Sequence, residues 1–137
     1  RVLPVHHLPG AAVLLMARIL VVEDEIDIAD NLAALLTAKG HAVSTCVDGA
    51  EALELARKSP PDLVLLDVML PRLSGFDVCA FLRADPKTQK IKILMVTGLG
   101  RGCDVEKAFA SGADDYLIKP FDSERLFKKI AKVLAVP

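Results

Sequence analysis

Three carboxylates, Glu23, Asp24 and Glu25, follow directly on four apolar residues in the stretch ILVVEDE. Asp67 closes a second apolar run, LVLLD, Thr97 a third, IKILMVT, and Lys119 a fourth, DYLIK. If the strands ending at Val22 and Asp67 are neighbours, Glu23, Asp24 and Asp67 converge. Two like charges about 4 Å apart repel by about 4 kcal/mol at an effective dielectric of 20. A helix N-terminus offsets only about 0.3–1 kcal/mol per carboxylate. A hard divalent cation offsets more, and an all-oxygen ligand set selects Mg²⁺ or a similar ion. Lys119 adds a compact positive charge and Thr97 a hydroxyl. An exposed aspartate among a metal, an ammonium and a hydroxyl suits phosphoryl transfer. The carboxylate attacks phosphorus while the cations stabilise the equatorial oxygens.

Those residues need a scaffold that brings strand ends together. After Met16 the chain alternates short apolar runs with helical periodicity. Strands are predicted at 18–22, 42–46, 63–67, 91–97 and 115–119. Between them, Ile28, Leu32, Leu35 and Leu36 recur at helical spacing, and Gly40 stops that helix. Asp48 is placed to cap a second helix with Ala50, Leu53 and Leu55 or Ala56 inward. Ser74 is placed to cap a third, carrying Val78, Phe81 and Leu82. A short fourth helix runs to Ser111. A fifth starts at Asp122 or Ser123, with Leu126, Ile130, Val133 and Leu134 on one face. Strands that are apolar throughout need cover on both faces. The pattern predicts a doubly wound α/β sheet, five strands and five helices, joined by right-handed crossovers. Such sheets bind ligands beyond the carboxyl ends of their strands, where the residues above fall.

Composition narrows the function classes. At 137 residues and 53% hydrophobic, the chain has material for one well-formed core. A net charge of −1 gives no reason to expect direct contact with nucleic acid or an anionic membrane. Cys46, Cys79 and Cys103 lack metal-ligand spacing and read as reduced thiols used as small hydrophobes, as in a cytoplasmic protein. His6, His7 and His41 have no partner that suggests a metal or catalysis. The run AAVLLMA (11–17) is too short to span a bilayer and lacks the sequel of a secretory signal. Met16 reads as a natural start. Residues 1–16 then form an N-terminal extension, of cloning or upstream origin, before a domain at 17–137. The competing reading is an N-terminal arm that docks on the domain or on a second copy.

The stretches ILVVEDE, PDLVLLDVMLPRLSGFD, ILMVTG and GADDYLIKPF, in this order and spacing, resemble the receiver domain of two-component response regulators. The resemblance covers residues 17 to about 135. It implies a flavodoxin-like (β/α)5 fold with strand order 2-1-3-4-5. It implies Asp67 as phosphoacceptor, taking its phosphoryl group from a sensor histidine kinase or a histidine phosphotransfer protein. Asp24, Asp67 and the Met69 backbone carbonyl would bind Mg²⁺, with Glu23 acting through a water. Lys119 would pair with the phosphoryl group and Thr97 would hydrogen-bond it. Tyr116 would be an aromatic switch that changes rotamer as Thr97 moves, and the Lys119–Pro120 bond would be cis. The signal would pass to an output domain or protein through the fourth helix, fifth strand and fifth helix.

Some positions depart from that pattern. Gly98 stands where alanine is common, and Gly100 and Gly102 make the following loop permissive. Lys92 stands where a proline is common. Asp114 and Asp115 suit a homodimer through paired charges, but Val105 and Ala110 are apolar where charges would help. Met69 and Leu99, two residues beyond Asp67 and Thr97, would crowd a water attacking the phosphoryl group and slow its loss. A haloacid-dehalogenase-type phosphatase would share the nucleophile and the metal but needs a second aspartate where Met69 stands. A nucleotide-binding turn at GLGRG has the spacing G-x-G-x-G and follows the wrong strand. Arg125, Lys128, Lys129 and Lys132 on the last helix read as a solvated basic face.

Overall fold

A strand that is apolar on both sides belongs in the middle of a covered sheet, and the three most apolar strands lie there. The computed structural model describes residues 16–98 and 102–135. Its elements are β1 (Arg18–Val22), α1 (Ile26–Ala38), β2 (Ala42–Cys46), α2 (Gly49–Lys58), β3 (Leu63–Asp67), α3 (Gly75–Ala84), β4 (Lys92–Thr97), α4 (Gly102–Ser111), β5 (Asp115–Ile118) and α5 (Ser123–Ala135). The parallel sheet has the order β2-β1-β3-β4-β5. The interior strands β1, β3 and β4 are buried almost throughout, whereas the edge strands β2 and β5 are mixed. Fold class, strand order and helix count match the reading of the sequence. Ile91 and Lys119 fall just outside the strands expected to contain them.

Alternation along each strand divides the core. Leu20, Val22, Val64, Leu66, Ile93 and Met95 form one cluster with Ala52, Val78, Leu82 and Ala108 of α2, α3 and α4. Ile19, Val21, Leu65, Leu94, Val96 and Leu117 form the other, with Leu32 and Leu36 of α1 and Leu126, Ile130 and Val133 of α5. The helix faces differ in part from those expected. In α2 the buried stripe is Gly49, Ala52 and Ala56, which turns Ala50 and Leu55 outward. Leu35 and Phe81 are exposed at the margins of their stripes.

Local chemistry sets the helix ends. Asp48 Oδ1 accepts the Glu51 N–H at 2.7 Å, and Asp122 Oδ1 the Arg125 N–H at 2.8 Å. Ser74 and Asp77 form a reciprocal capping box. Gly40 closes α1 at φ +96°. Ser74→Ala removes one acceptor of the α3 box and is expected to lower stability by about 1 kcal/mol, read as a shifted denaturant midpoint with unchanged slope.

Arg83, in the last turn of α3, donates to the carbonyls of Gln89, Ile91 and Gly112 and to the Asp114 carboxylate at 2.8 Å. The same Asp114 oxygen accepts the Ile93 N–H at 2.8 Å. One guanidinium thus ties α3 to the start of β4 and to the α4–β5 turn. His41 has a structural place as well. Its Nδ1 accepts the Ala17 N–H at 3.1 Å, and burial lowers its pKa. Cys46 and Cys79 are buried free thiols; burial pushes Cys46 up to about 12, which keeps it protonated and unreactive. Residues 1–15 of the expected extension, the Cys103 side chain and residues 99–101 of the glycine-rich loop lie outside the described residues.

Candidate functional site

Register brings the candidate residues level. Val22 pairs with Leu66 across β1 and β3, so Glu23, one step on, meets Asp67 at the end of β3. Asp67 pairs in turn with Val96 of β4, and Thr97 with Ile118 of β5. Lys119 follows directly, its N–H bonded to the Thr97 carbonyl at 2.8 Å. From there Lys119 Nζ reaches past β4 to Asp67 Oδ2 at 2.8 Å and Glu23 Oε1 at 3.2 Å. The bond between Lys119 and Pro120 is cis.

Glu23, Asp24 and Asp67 offer carboxylate oxygens that all lie within 4.8 Å of one another. Glu23 is 3% exposed and Asp67 is buried, whereas Asp24 is open to solvent. Burial pushes the Glu23 carboxyl up to about 7. The Glu25 N–H donating to it at 3.0 Å pulls the value down, and the neighbouring Asp67 pushes it up further. Burial alone would lower Lys119, but Asp67 and Glu23 outweigh it and hold the ammonium above its ordinary value. Among the described residues, Lys119 thus pairs with two carboxylates of a cluster of three. This excess of hard oxygen donors fits a divalent cation such as Mg²⁺. Glu25 stands apart as the exposed N-cap residue of α1.

The loop after Asp67 is held by main-chain contacts. The Met69 N–H donates to Asp67 Oδ1 at 3.0 Å, and the Met69 side chain is 64% exposed. The Gly75 N–H donates to the Val68 carbonyl at 2.9 Å. A β-carbon on Gly75 would overlap the Asp67 carbonyl oxygen and lie 2.8 Å from Val68 Cα. The sequence offered only a glycine after a serine cap as a signal for this approach.

Thr97 is 1% exposed, and its Oγ1 has no hydrogen-bond partner among the described residues. Tyr116 is not drawn into the acidic cluster. It is half-buried, with its ring edge-to-face with Phe109 of α4 at 5.7 Å between centroids. Lys129 departs from the solvated face expected of α5. It bonds to buried Asp115 at 3.0 Å and lies 4.7 Å from the Tyr116 ring centroid. Asp114 and Asp115, which suited a dimer's paired charges, are paired within the chain by Arg83 and Lys129. Leu99 and most of the GLGRG turn lie outside the described residues.

Beside the carboxylates a cleft of about 270 Å³ opens, lined by Ile28, Leu32, Val96 and Phe121 as well as Glu23 and Lys119. Among the described residues no helix is long and apolar enough to cross a membrane.

A family model described as the response regulator receiver domain matches residues 19–131. The chain is 44% identical over 119 residues to the DNA-binding dual master transcriptional regulator RpaA of Synechocystis, covering 87% of this chain and 49% of that protein. It is 46% identical over 115 residues to the response regulator PleD of Caulobacter vibrioides, covering 83% of this chain and 25% of that one. The chain therefore spans half or less of these relatives. The structure of the chemotaxis protein CheY4 of Vibrio cholerae superposes with a TM-score of 0.81 at 34% identity, covering 87% of this chain and 99% of that one.

Proposed function

Because this chain belongs to the response regulator receiver domains of two-component systems, we propose that Asp67 is the residue it phosphorylates in order to signal. The observation that carries this reading is Lys119 Nζ at 2.8 Å from Asp67 Oδ2, beside three clustered carboxylates. A carboxylate oxygen of Asp67 attacks the phosphorus of a phosphohistidine on a sensor kinase or phosphotransfer protein. The phosphorus–nitrogen bond breaks, and the departing imidazole takes up a proton. Lys119, already charged, moves from the carboxylate to the new phosphoryl oxygens. The Thr97 hydroxyl, unpartnered among the described residues, donates to one of them.

Asp24, Asp67 and the Met69 carbonyl would hold Mg²⁺, with Glu23 acting through a water. When bound, the ion neutralises charge on the phosphoryl oxygens. As Thr97 moves, Tyr116 turns inward and the α4–β5–α5 face changes. An output domain or partner protein reads that face, in the cytoplasm where the kinase presents its phosphohistidine. The receiver itself makes no contact with nucleic acid, and a homodimer through this face is one form the output can take. The chain promotes only its own phosphorylation and dephosphorylation, since Met69 stands where a phosphatase needs a second aspartate.

Incubation with Mg²⁺ and acetyl phosphate is expected to add one acid-labile phosphoryl group, by intact mass, and chelation to suppress it. A chelation-insensitive gain would overturn the metal assignment. The phosphoryl group is expected to be long-lived, because Met69 offers an attacking water no hydrogen bond. Met69→Asn supplies one and is expected to speed loss several-fold, followed by mass over time.

A further inference from the structure

Lys129 does two things at once. Its Nζ donates to Asp115 Oδ1 at 3.0 Å, and it lies 4.7 Å from the centroid of the Tyr116 ring. The side chain is only 19% exposed, so the ammonium is held in place and partly shielded from water. Its anchor is fixed as well. Asp115 is buried, its Oδ1 also accepts the Tyr116 N–H at 2.8 Å, and its Oδ2 has Lys132 as a counter-charge at 3.5 Å. Phe109 of α4 meets the same ring edge-to-face. The ring is thus held by a cation from α5 and an aromatic ring from α4.

We propose that Lys129 is a positioning residue for the proposed switch: its cation–π contact latches Tyr116 in the outward rotamer and so sets how readily the receiver activates. This rests on the reading of Tyr116 as the switch. A ring turned inward towards Thr97 leaves Nζ behind and loses the contact. Phosphorylation at Asp67 and the latch therefore favour opposite positions of one ring. A contact that stabilises only the outward state weakens any ligand that needs the inward state by the same factor. A partly shielded cation–π contact corresponds to a factor of about two to five in that equilibrium.

The chain has one tyrosine and no tryptophan, so a single probe reports on the switch. With 3-fluorotyrosine incorporated, the ¹⁹F spectrum has one resonance, from position 116. Titration with beryllofluoride in Mg²⁺, which mimics the phosphoryl group, gives both the movement of that resonance and an apparent affinity. Lys129→Met is expected to tighten beryllofluoride binding about two- to fivefold. Lys129→Arg, which keeps a cation over the ring, is expected to restore the parental affinity. Removing Lys129 also strips a counter-charge from buried Asp115. The comparison is therefore repeated with Asp115→Asn as parent, where Lys129→Met leaves no buried carboxylate short of a partner.

Equal or weaker binding by Lys129→Met in both backgrounds, with a parental resonance that moves, overturns the latch and leaves the switch reading standing. Lys129→Arg behaving like Lys129→Met also overturns it, because the effect would then lie in packing and not in charge. A parental resonance that stays fixed while calorimetry shows saturation removes the switch reading, and the latch falls with it.

Discussion

Asp67→Asn is expected to take up no phosphoryl group from acetyl phosphate under conditions in which the parent gains one. An amide oxygen carries no charge to attack phosphorus with, and Lys119 loses the closer of its two anionic partners. The fold is not expected to fail. An amide oxygen can still accept the Met69 N–H that now bonds to Asp67 Oδ1, and removing one charge relieves the repulsion with Glu23. Intact mass and a thermal melt on the same sample separate the two effects: the mass gain disappears, and the melting temperature stays close to the parent's. A mass gain that persists would place the acceptor elsewhere, with Asp24, the solvent-open member of the cluster, the first to examine.

Gly75→Ala is expected to cost about 3 kcal/mol or more, far beyond an ordinary surface change. The added carbon meets backbone on every near side: the Asp67 carbonyl oxygen, Val68 Cα, and the Asp67 carbonyl carbon at 2.9 Å. A flexible side chain could swing away, but these atoms belong to the end of an interior strand. Relief requires α3 to back away from β3 or the Asp67 peptide to tilt. Either change also moves the carboxylate relative to Lys119, so phosphorylation should fall together with stability. Gly98→Ala is the control, since a β-carbon there meets nothing within 4 Å. Denaturant midpoints for the two variants check the contrast, and equal midpoints would refute the close-approach argument.

The sheet was legible in the sequence because the interior strands are apolar on both faces and their ends carry the chemistry. Asp67 is the last residue of one such run and Lys119 the first beyond the edge strand β5, and parallel strands carry both to the same end of the sheet. Helix faces were less legible at their margins. Leu35, Leu55 and Phe81 satisfy helical spacing, but periodicity does not say where a buried stripe ends. Lys129 was misread for a different reason. A charge row on a helix looks solvated unless its neighbour across space is known, and that neighbour, Asp115, lies fourteen residues away with its carboxylate buried. Gly75 was equally silent, since one sequence does not reveal which glycine lies against backbone and which lies in the open.

Helix α3 is fastened at both ends: Gly75 against the Asp67 carbonyl, and Arg83 across to the α4–β5 turn. A strut fixed at two points has little freedom to roll or slide, so it is badly suited to carry displacement away from Asp67. The same clamp seats the foot of α4, at Gly112, while the head of α4 joins the loop that follows Thr97. The proposed motion at Thr97 would therefore reach α4 at the end remote from its seat. If phosphorylation at Asp67 moves Thr97 as proposed, α4 is expected to act as a lever with its fulcrum at the base of the sheet, travelling most beside Asp67 and least at Arg83.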